Sequence, residues 1–199
     1  MLFGRNEDGA PTSRRKYKRT EQNTMANVRL NLVVAACNNR GIGVKGQLPW
    51  RLKKDMQFFK NVTTETKDPD KQNAVIMGRI TYFSIPEKFR PLAKRKNIIL
   101  SRELKEAPPN TSLVRSLDEA VSLATGSGEL ADKIEKPMES NYNCRIYLTR
   151  VLADIDCDTF FPELDENLYR KVDCEDVPTS VFTENGLDFK FEVYDKVQH

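Results

Sequence analysis

The sequence predicts an α/β protein with a mostly parallel central sheet flanked by helices and an antiparallel edge near the C-terminus. Continuous apolar runs of strand length are typical of strands buried on both faces of a parallel sheet. Strict alternation late in the chain is typical of an antiparallel edge strand. The strand signals lie at 30–37, 73–77, 96–100, 144–151 and 187–194, and segments of helical period lie at about 51–62 and 117–124.

The first strand signal leads into a glycine-rich loop. Gly41, Gly43 and Gly46 spell GxGxxG directly after it, which is the spacing of the dinucleotide-binding fingerprint. That fingerprint needs a helix to begin at the third glycine, whereas 48–50 (Leu-Pro-Trp) comes before any helical period starts. We therefore expect a mobile loop here.

The helix after this loop carries an acidic residue on its apolar face. Leu52, Asp55, Met56 and Phe59 stand at i, i+3, i+4 and i+7, so the pattern predicts that Asp55 shares the buried stripe. Burial raises the pKa of a carboxyl group, which suits a proton donor or the anchor of a cationic ligand group. The alternative is that Asp55 only favours the helix N-terminus through the macrodipole. Both interpretations stay open at this level.

Two strand signals end in residues that suit a phosphate. The second ends at Gly78-Arg79-Ile80-Thr81, and the third ends at Ser101-Arg102. Ligands of open parallel sheets collect at the carboxyl edge, where backbone N–H groups, hydroxyls and guanidinium groups can bind anions. A plain turn with an exposed arginine is the alternative. Ser116 to Glu119 is a capping box that predicts the start of the helix over 117–124.

Composition predicts one globular domain over residues 25–199. The chain has 199 residues, a formal net charge of +3 and 31% charged residues, with acidic and basic residues interleaved. Residues 1–24 are polar and charged and predict a disordered tail. The basic cluster at 14–19 could be a nuclear address, a phosphate-contacting arm or a solvated face, and Met25 could be an alternative start.

The histidine and cysteine content excludes several kinds of site. The single histidine is His199, so a Ser-His-Asp or Cys-His nucleophile and a histidine-ligated metal centre are not expected. The four cysteines form no CxxC pair, and we expect free, mostly buried thiols. No stretch resembles a secretory signal or a membrane span. We expect no metal and no membrane partner.

Many short motifs occur in an order that resembles dihydrofolate reductase of the eukaryotic type, over about 28–194. Eight segments carry the resemblance: 33–35 (VVA), 41–43 (GIG), 48–50 (LPW), 75–79 (VIMGR), 83–86 (FSIP), 100–104 (LSREL), 148–150 (LTR) and 158–162 (DTFFP).

The resemblance implies hydride transfer from NADPH to C6 of dihydrofolate with protonation of N5, in support of one-carbon metabolism and thymidylate and purine synthesis. The catalytic residues would be Asp55, its partner Thr149, and Trp50 in a loop closing over the nicotinamide. Substrate would contact Val33, Val34, Met56, Phe59, Ile85, Leu92 and Arg95, the last clamping a carboxylate. NADPH would contact Ala35, Ile42, Gly46, Leu48, Gly78, Arg79, Thr81, Ser101 and Arg102.

One departure from the family stands out before Cys144. The family carries an apolar strand, a Gly-Gly turn at the cofactor pyrophosphate and a helix there, whereas 129–143 contains no apolar run of strand length. One central strand and one helix are therefore expected to be missing. Loss of a central strand predicts unpaired backbone groups on its neighbours and a cavity in the core.

Three functions follow from these observations. The first is an NADPH-dependent dihydrofolate reductase that binds dihydrofolate and antifolates. The second is a catalytically impaired splice or gene-model variant of it. The third is a nucleic-acid-binding protein that uses its basic tail, with weak RNA contact through the basic cluster. We expect a cytoplasmic monomer, with a nuclear or mitochondrial fraction as the alternative location.

Overall fold

The computed structural model describes residues 1–5, 28–66, 68–126 and 142–197. The helices are α1 (Lys53–Thr64), α2 (Arg79–Ser84) and α3 (Leu117–Thr125), with a 3₁₀ turn at Glu87–Phe89. The strands are β1 (Leu2–Arg5), β2 (Arg29–Ala36), β3 (Gly41–Gly43), β4 (Ala74–Gly78), β5 (Lys96–Leu100), β6 (Ser112–Val114), β7 (Asn143–Val151), β8 (Thr159–Phe160), β9 (Tyr169–Val172), β10 (Phe182–Glu184) and β11 (Leu187–Lys196).

Nine strands form one sheet, in the order β10-β11-β7-β2-β1-β4-β5-β6, with β9 paired to β11. The pairs β2–β7, β4–β5 and β5–β6 are parallel, and β11 is antiparallel to β7. The α/β class and the antiparallel C-terminal edge are therefore confirmed. Strand β5 has the bounds predicted for it, and the other predicted strands differ from the observed ones by one or two residues at one or both ends.

Strand β1 corrects the expectation of a tail that is disordered throughout 1–24. Residues Leu2–Arg5 pair antiparallel with β2 on one side and with β4 on the other. The rest of the predicted tail, with the cluster at 14–19, lies outside the described residues. Loss of a central strand is also expected to leave unpaired backbone groups on its neighbours. In the described residues β1 lies between β2 and β4 and pairs with both, so this expectation is corrected too.

The buried stripe of α1 differs from the predicted one. Leu52, just before the helix, and Asp55 are buried, and Phe59 is half-buried, but Met56 is 52% exposed. Phe58, which the pattern missed, is buried and stacks on Phe191 with ring centroids 4.1 Å apart. The contact with β11 therefore turns the helix so that the buried stripe passes through Phe58 instead of Met56.

Helix α3 begins as its capping box predicts. The Ser116 hydroxyl accepts a hydrogen bond from the Glu119 backbone N–H at 3.1 Å, and Gly126 ends the helix with φ +76°. Both caps satisfy backbone groups that a helix end leaves without partners.

Apolar side chains pack on both faces of the sheet because successive strand residues point to opposite sides. On the α1 face, one cluster includes Val75, Met77 and Phe191. On the α3 face, a second cluster includes Ala74 and Ile76. A third cluster lies around β7, β9 and Phe161. None of the helices in the described residues is long and apolar enough to cross a membrane. All four cysteines are free thiols, as expected; two are buried and two half-buried.

Candidate active site

Asp55 and Thr149 form the buried polar centre of the candidate site. Asp55 lies in the first turn of α1 and is 7% exposed, and Thr149 lies on β7 and is 1% exposed. The Thr149 hydroxyl donates a hydrogen bond to Asp55 Oδ1 at 2.7 Å. The structure therefore brings these two predicted catalytic residues together.

The surroundings of Asp55 favour its protonated form. Burial is the main cause that raises the pKa of this carboxyl group, and the negative charge of Glu184 raises it further. The hydrogen bond from Thr149 opposes both because it stabilises the carboxylate. A buried carboxyl group with a raised pKa keeps its proton to higher pH than a solvated one and can release it to a ligand.

Glu184 fixes the start of the helix that carries Asp55. Its carboxylate accepts hydrogen bonds from the backbone N–H groups of Lys53 and Lys54 at 2.7 and 3.2 Å. These N–H groups have no acceptor inside the helix, and a carboxylate at a helix N-terminus also suits the macrodipole. Sequence reasoning missed Glu184 because it lies in β10, far from α1 along the chain.

Trp50 brings an unpartnered donor to the α1 face. The side chain is 5% exposed, and its indole Nε1 has no hydrogen-bond partner within the described part of the chain. A buried N–H without an acceptor is costly unless a ligand or a water supplies one. Trp50 packs in the cluster that also holds Val33 and Phe58.

Most of the predicted apolar substrate residues share that cluster. Val33 is buried in it, and Phe59, Ile85 and Leu92 pack against it while half-buried. Val34 packs instead against the third cluster. Since successive strand residues face opposite sides of the sheet, the side chains of Val33 and Val34 lie on different faces, and the substrate contact of Val34 stays a prediction.

Arg95 is held in a turn that the sequence did not predict. Its Nη1 donates to the Thr63 hydroxyl at 2.8 Å, and its Nε donates to the Ala93 carbonyl at 3.0 Å. The buried side chain of Asn97 accepts from the Leu92 N–H and donates to the carbonyls of Leu92 and Arg95. These bonds fix the half-buried guanidinium at one end of α1.

The predicted phosphate residues line one cavity of about 330 Å³ at the carboxyl ends of β4 and β5. A Cβ added at Gly78 would meet nothing within 4 Å, so no protein atom separates the Gly78 backbone from the cavity there. Arg79 pairs with Glu103 at 2.7 Å. The lining includes Gly78, Arg79, Thr81, Ser101 and Arg102 from the prediction, and Arg115, Ile80, Leu100 and Glu103 beside them.

Ser101 and Arg115, which also line the cavity, have partners in the protein as well. The Ser101 hydroxyl accepts from the backbone N–H groups of Glu103 and Leu104, so it shapes the turn after β5. Arg115, which the prediction missed, donates through Nη1 to the carbonyls of Ser101 and Leu104. The arginines at 79, 102 and 115 give the cavity its positive charge.

The predicted mobile loop is anchored over its first half. Strand β3 pairs with β8, and Asp158 accepts from the Lys45 backbone N–H at 2.7 Å. That bond lowers the pKa of Asp158. Gly46 has φ +72° and is exposed, and Leu48 is 50% exposed. Of the cofactor residues predicted near this loop, Ile42 packs against the third cluster and Ala35 against the α1-face cluster.

Comparison with known proteins decides the family. The family model described as dihydrofolate reductase matches residues 29–196. The chain belongs to the dihydrofolate reductase family. The dihydrofolate reductase of Schistosoma mansoni is 46% identical over 180 residues, covering 84% of this chain and 96% of that protein. The dihydrofolate reductase of Sus scrofa is 44% identical over 182 residues, covering 84% and 97%.

A solved structure supports the same assignment. The structure of Schistosoma mansoni dihydrofolate reductase has a TM-score of 0.69 at 45% identity, and the match covers 83% of this chain and 96% of that one. The predicted family, α/β fold class and enzyme class are therefore confirmed. In the described ranges, no three His, Cys, Asp or Glu side chains are grouped so that they could hold a metal ion.

Proposed function

We propose that this chain reduces 7,8-dihydrofolate to tetrahydrofolate with NADPH as the hydride donor. The observation that carries the proposal is the buried Asp55 carboxyl group with its 2.7 Å hydrogen bond from Thr149. Family membership supplies the reaction class, and this carboxyl group supplies the acid that the reaction needs. In the part of the chain that is described, no histidine can take that role.

Asp55 would hold the amino-pyrimidine edge of the substrate. One carboxylate oxygen accepts from Thr149, which leaves the other to face a ligand. Two N–H groups of the pterin edge match a carboxylate in the way that a guanidinium does. With its pKa raised by burial, Asp55 would also keep a proton available for delivery towards N5, through water.

Arg95 and the apolar wall would orient the rest of the substrate. Phe59 lies below the guanidinium, with its ring centroid 5.8 Å from Arg95 Cζ. A guanidinium fixed by Thr63 and by the Ala93 carbonyl keeps further N–H groups for a carboxylate ligand. Ile85 and Leu92, half-buried against the same cluster, would contact the middle of the substrate.

The cavity beyond β4 and β5 fits a phosphorylated dinucleotide. The open space at Gly78 admits a group close to the backbone, and Arg79 and Arg102 offer guanidinium groups to a phosphate. NADPH supplies the hydride to C6 when it is bound. The unpartnered indole N–H of Trp50 offers a donor to a water or a carbonyl on the substrate side.

The test is dihydrofolate-dependent oxidation of NADPH by the purified full chain, followed by absorbance. We expect turnover that an antifolate blocks and that NADH supports less well, because NADH has no 2′-phosphate for the arginines. Asp55→Asn should lose turnover and Asp70→Asn, at an exposed carboxylate, should keep it. A folded chain that binds neither dihydrofolate nor NADPH would contradict the proposal.

A second candidate is a chain that binds antifolates but turns over poorly. The position of β1 favours it, because residues 2–5, and not the segment before β7 in which the family carries its Gly-Gly turn, form the strand between β2 and β4. Antifolate binding without NADPH oxidation would support this candidate. Monomeric state, cytoplasmic location and RNA contact through 14–19 stay predictions, and that cluster lies outside the described residues.

A further inference from the structure

The centre of the sheet contains one strand that runs against its neighbours. From β7 to β6, the pairs that do not involve β1 are parallel. Strand β1 is antiparallel to β2 and to β4, so β2 and β4 are parallel to each other with β1 between them. Parallel neighbours are joined by crossovers of a dozen residues or more, whereas an antiparallel strand can come from any nearby chain end. The direction of β1 therefore marks it as a strand supplied from outside the βαβ framework.

Strand β1 stands between the two halves of the candidate site. Its neighbour β2 carries Val33 and pairs with β7, which carries Thr149. Its neighbour β4 ends at Gly78 on the cofactor cavity. Adjacent strands lie about 4.8 Å apart, so one inserted strand holds β2 and β4 roughly twice that distance from each other. The spacing of substrate and cofactor elements depends on it.

The backbone of residues 1–5 satisfies both neighbouring strands. Met1 and Val33 exchange two hydrogen bonds, of 2.8 and 3.1 Å. In an antiparallel ladder such hydrogen-bonded pairs alternate with non-bonded pairs. The backbone N–H and C=O groups of Phe3 and Arg5 therefore also point to β2, and those of Leu2 and Gly4 point to β4. Without this segment, the facing edges of β2 and β4 would keep unpaired N–H and C=O groups in the middle of the sheet.

The geometry favours insertion by the chain's own N-terminus. Arg5, the last residue of β1, is the ladder partner of Arg29, the first residue of β2. The end of β1 and the start of β2 are therefore adjacent in the sheet. The entropic cost of closing a connection between them rises only slowly with its length. An exchanged strand from a second copy would have to span two molecules to reach the same position.

We propose that residues 1–5 are an intramolecular donor strand whose insertion between β2 and β4 completes the sheet and is required for the active site to form. The segment stands in for the central strand that the family carries before β7. A chain that starts at Met25 keeps every predicted catalytic residue and lacks this strand. Its open position accepts a short peptide through main-chain hydrogen bonds, as in β-strand addition between proteins.

The first experiment compares the full chain with residues 25–199, alone and refolded with a peptide of residues 1–7. Two measurements are made: amide hydrogen exchange of β2 and β4, and dihydrofolate-dependent NADPH oxidation. We expect 25–199 to lose protection of both strands and to lose turnover, and the peptide to restore both. The activity measurement rests on the proposed function, whereas the exchange measurement does not.

Backbone methylation supplies the matched controls. A peptide N-methylated at Leu2 cannot donate to β4, and one N-methylated at Phe3 cannot donate to β2, so neither should restore protection. The same peptide N-methylated at Glu7, beyond the end of β1, should restore it. Rescue by all three peptides would overturn the assignment of these N–H groups to the ladder.

A pair of full-length variants covers the case in which 25–199 does not fold. Leu2→Pro removes the N–H that faces β4, and Leu2→Val changes the same side chain but keeps it. We expect loss of protection in β4 for Leu2→Pro only. Equal protection in both variants, equal protection of 25–199 and the full chain, or a stable dimer that exchanges the strand would overturn the proposal. Protected strands without turnover in the full chain would support the donor strand and contradict the proposed function.

Discussion

The Asp55–Thr149 centre and the β1–β2 ladder both join distant parts of the chain, but they depend on different kinds of signal. Asp55 and Thr149 are 94 residues apart and meet because a helix and a strand, each visible in the local sequence, pack against each other. Leu2–Arg5 shows no alternation of its own and contains a glycine and an arginine, yet it pairs with two strands in the middle of the sheet.

The Asp55–Thr149 centre depends on the chemistry of two side chains, whereas the β1–β2 ladder depends on backbone hydrogen bonds. A buried carboxylate needs particular partners, so its residue type and its position in a helical pattern are informative. A ladder of N–H and C=O groups accepts almost any extended segment, so a donor strand leaves little trace in its own sequence. The two regions should therefore respond differently to substitution and to pH.

The largest effect is expected from Asp55→Asn. The variant keeps the shape of the side chain and removes the acid, so kcat should fall by roughly 10² to 10⁴. The free energy of unfolding should change little or increase, because the variant has no carboxyl group whose ionisation is opposed by burial. Steady-state kinetics and thermal unfolding check both parts. Unchanged kcat at neutral pH would show that Asp55 is not the acid.

Arg95→Ala should act on substrate binding. The guanidinium is held by Thr63 and the Ala93 carbonyl, and a charged hydrogen-bonded contact contributes about 1.5 to 3 kcal/mol. We expect KM for dihydrofolate to rise with kcat nearly unchanged, and KM for NADPH to stay as in the parent. Lys71→Ala, which removes an exposed basic side chain, is the control. An equal fall of kcat would indicate a role in the reaction step instead.

The α-amino group of Met1 should make the central ladder sensitive to pH. Burial lowers its pKa to about 6 from an ordinary value near 8, so between these values the unfolded chain binds a proton that the folded chain does not. The free energy of unfolding should therefore rise with pH through this window, by at most about 1.4 kcal/mol per pH unit. Chemical unfolding at pH values across the window measures it. An N-acetylated chain, which cannot titrate there, should lack this rise.

Thr149→Val should produce the smallest effect. It acts on Asp55, whose effect on the pH dependence of stability is opposite in sign to that of the Met1 amino group. The pKa of Asp55 is raised in the folded chain, so the stability it contributes is present below its ordinary value and is lost as pH rises through the raised one. Removing the Thr149 hydroxyl removes the bond that opposes this shift. We expect the alkaline limb of the kcat profile to move to higher pH. Thr111→Val, at a hydroxyl that donates to the Pro108 carbonyl and not to Asp55, should leave it in place.

The sequence predicted the framework well because its elements carry local signals. The limits of β5, the capping box of α3 and the position of Asp55 on the buried side of α1 follow from runs, spacings and periods that extend over a few residues. The residues that hold the site in place could not be predicted from such local signals. Glu184, Thr63 and Asn97 act through contacts that join separate elements, and their residue types are ordinary at those positions.

The sequence by itself determined the family, the buried position of Asp55 and the order of the main elements, because motifs and hydrophobic periods extend over only a few neighbouring residues. Tertiary structure decided which face of α1 is buried, since Phe58 stacks on Phe191 and Met56 is exposed. It also decided what occupies the centre of the sheet. Backbone groups pair without regard to residue type, so only the assembled sheet shows that β1 lies between β2 and β4.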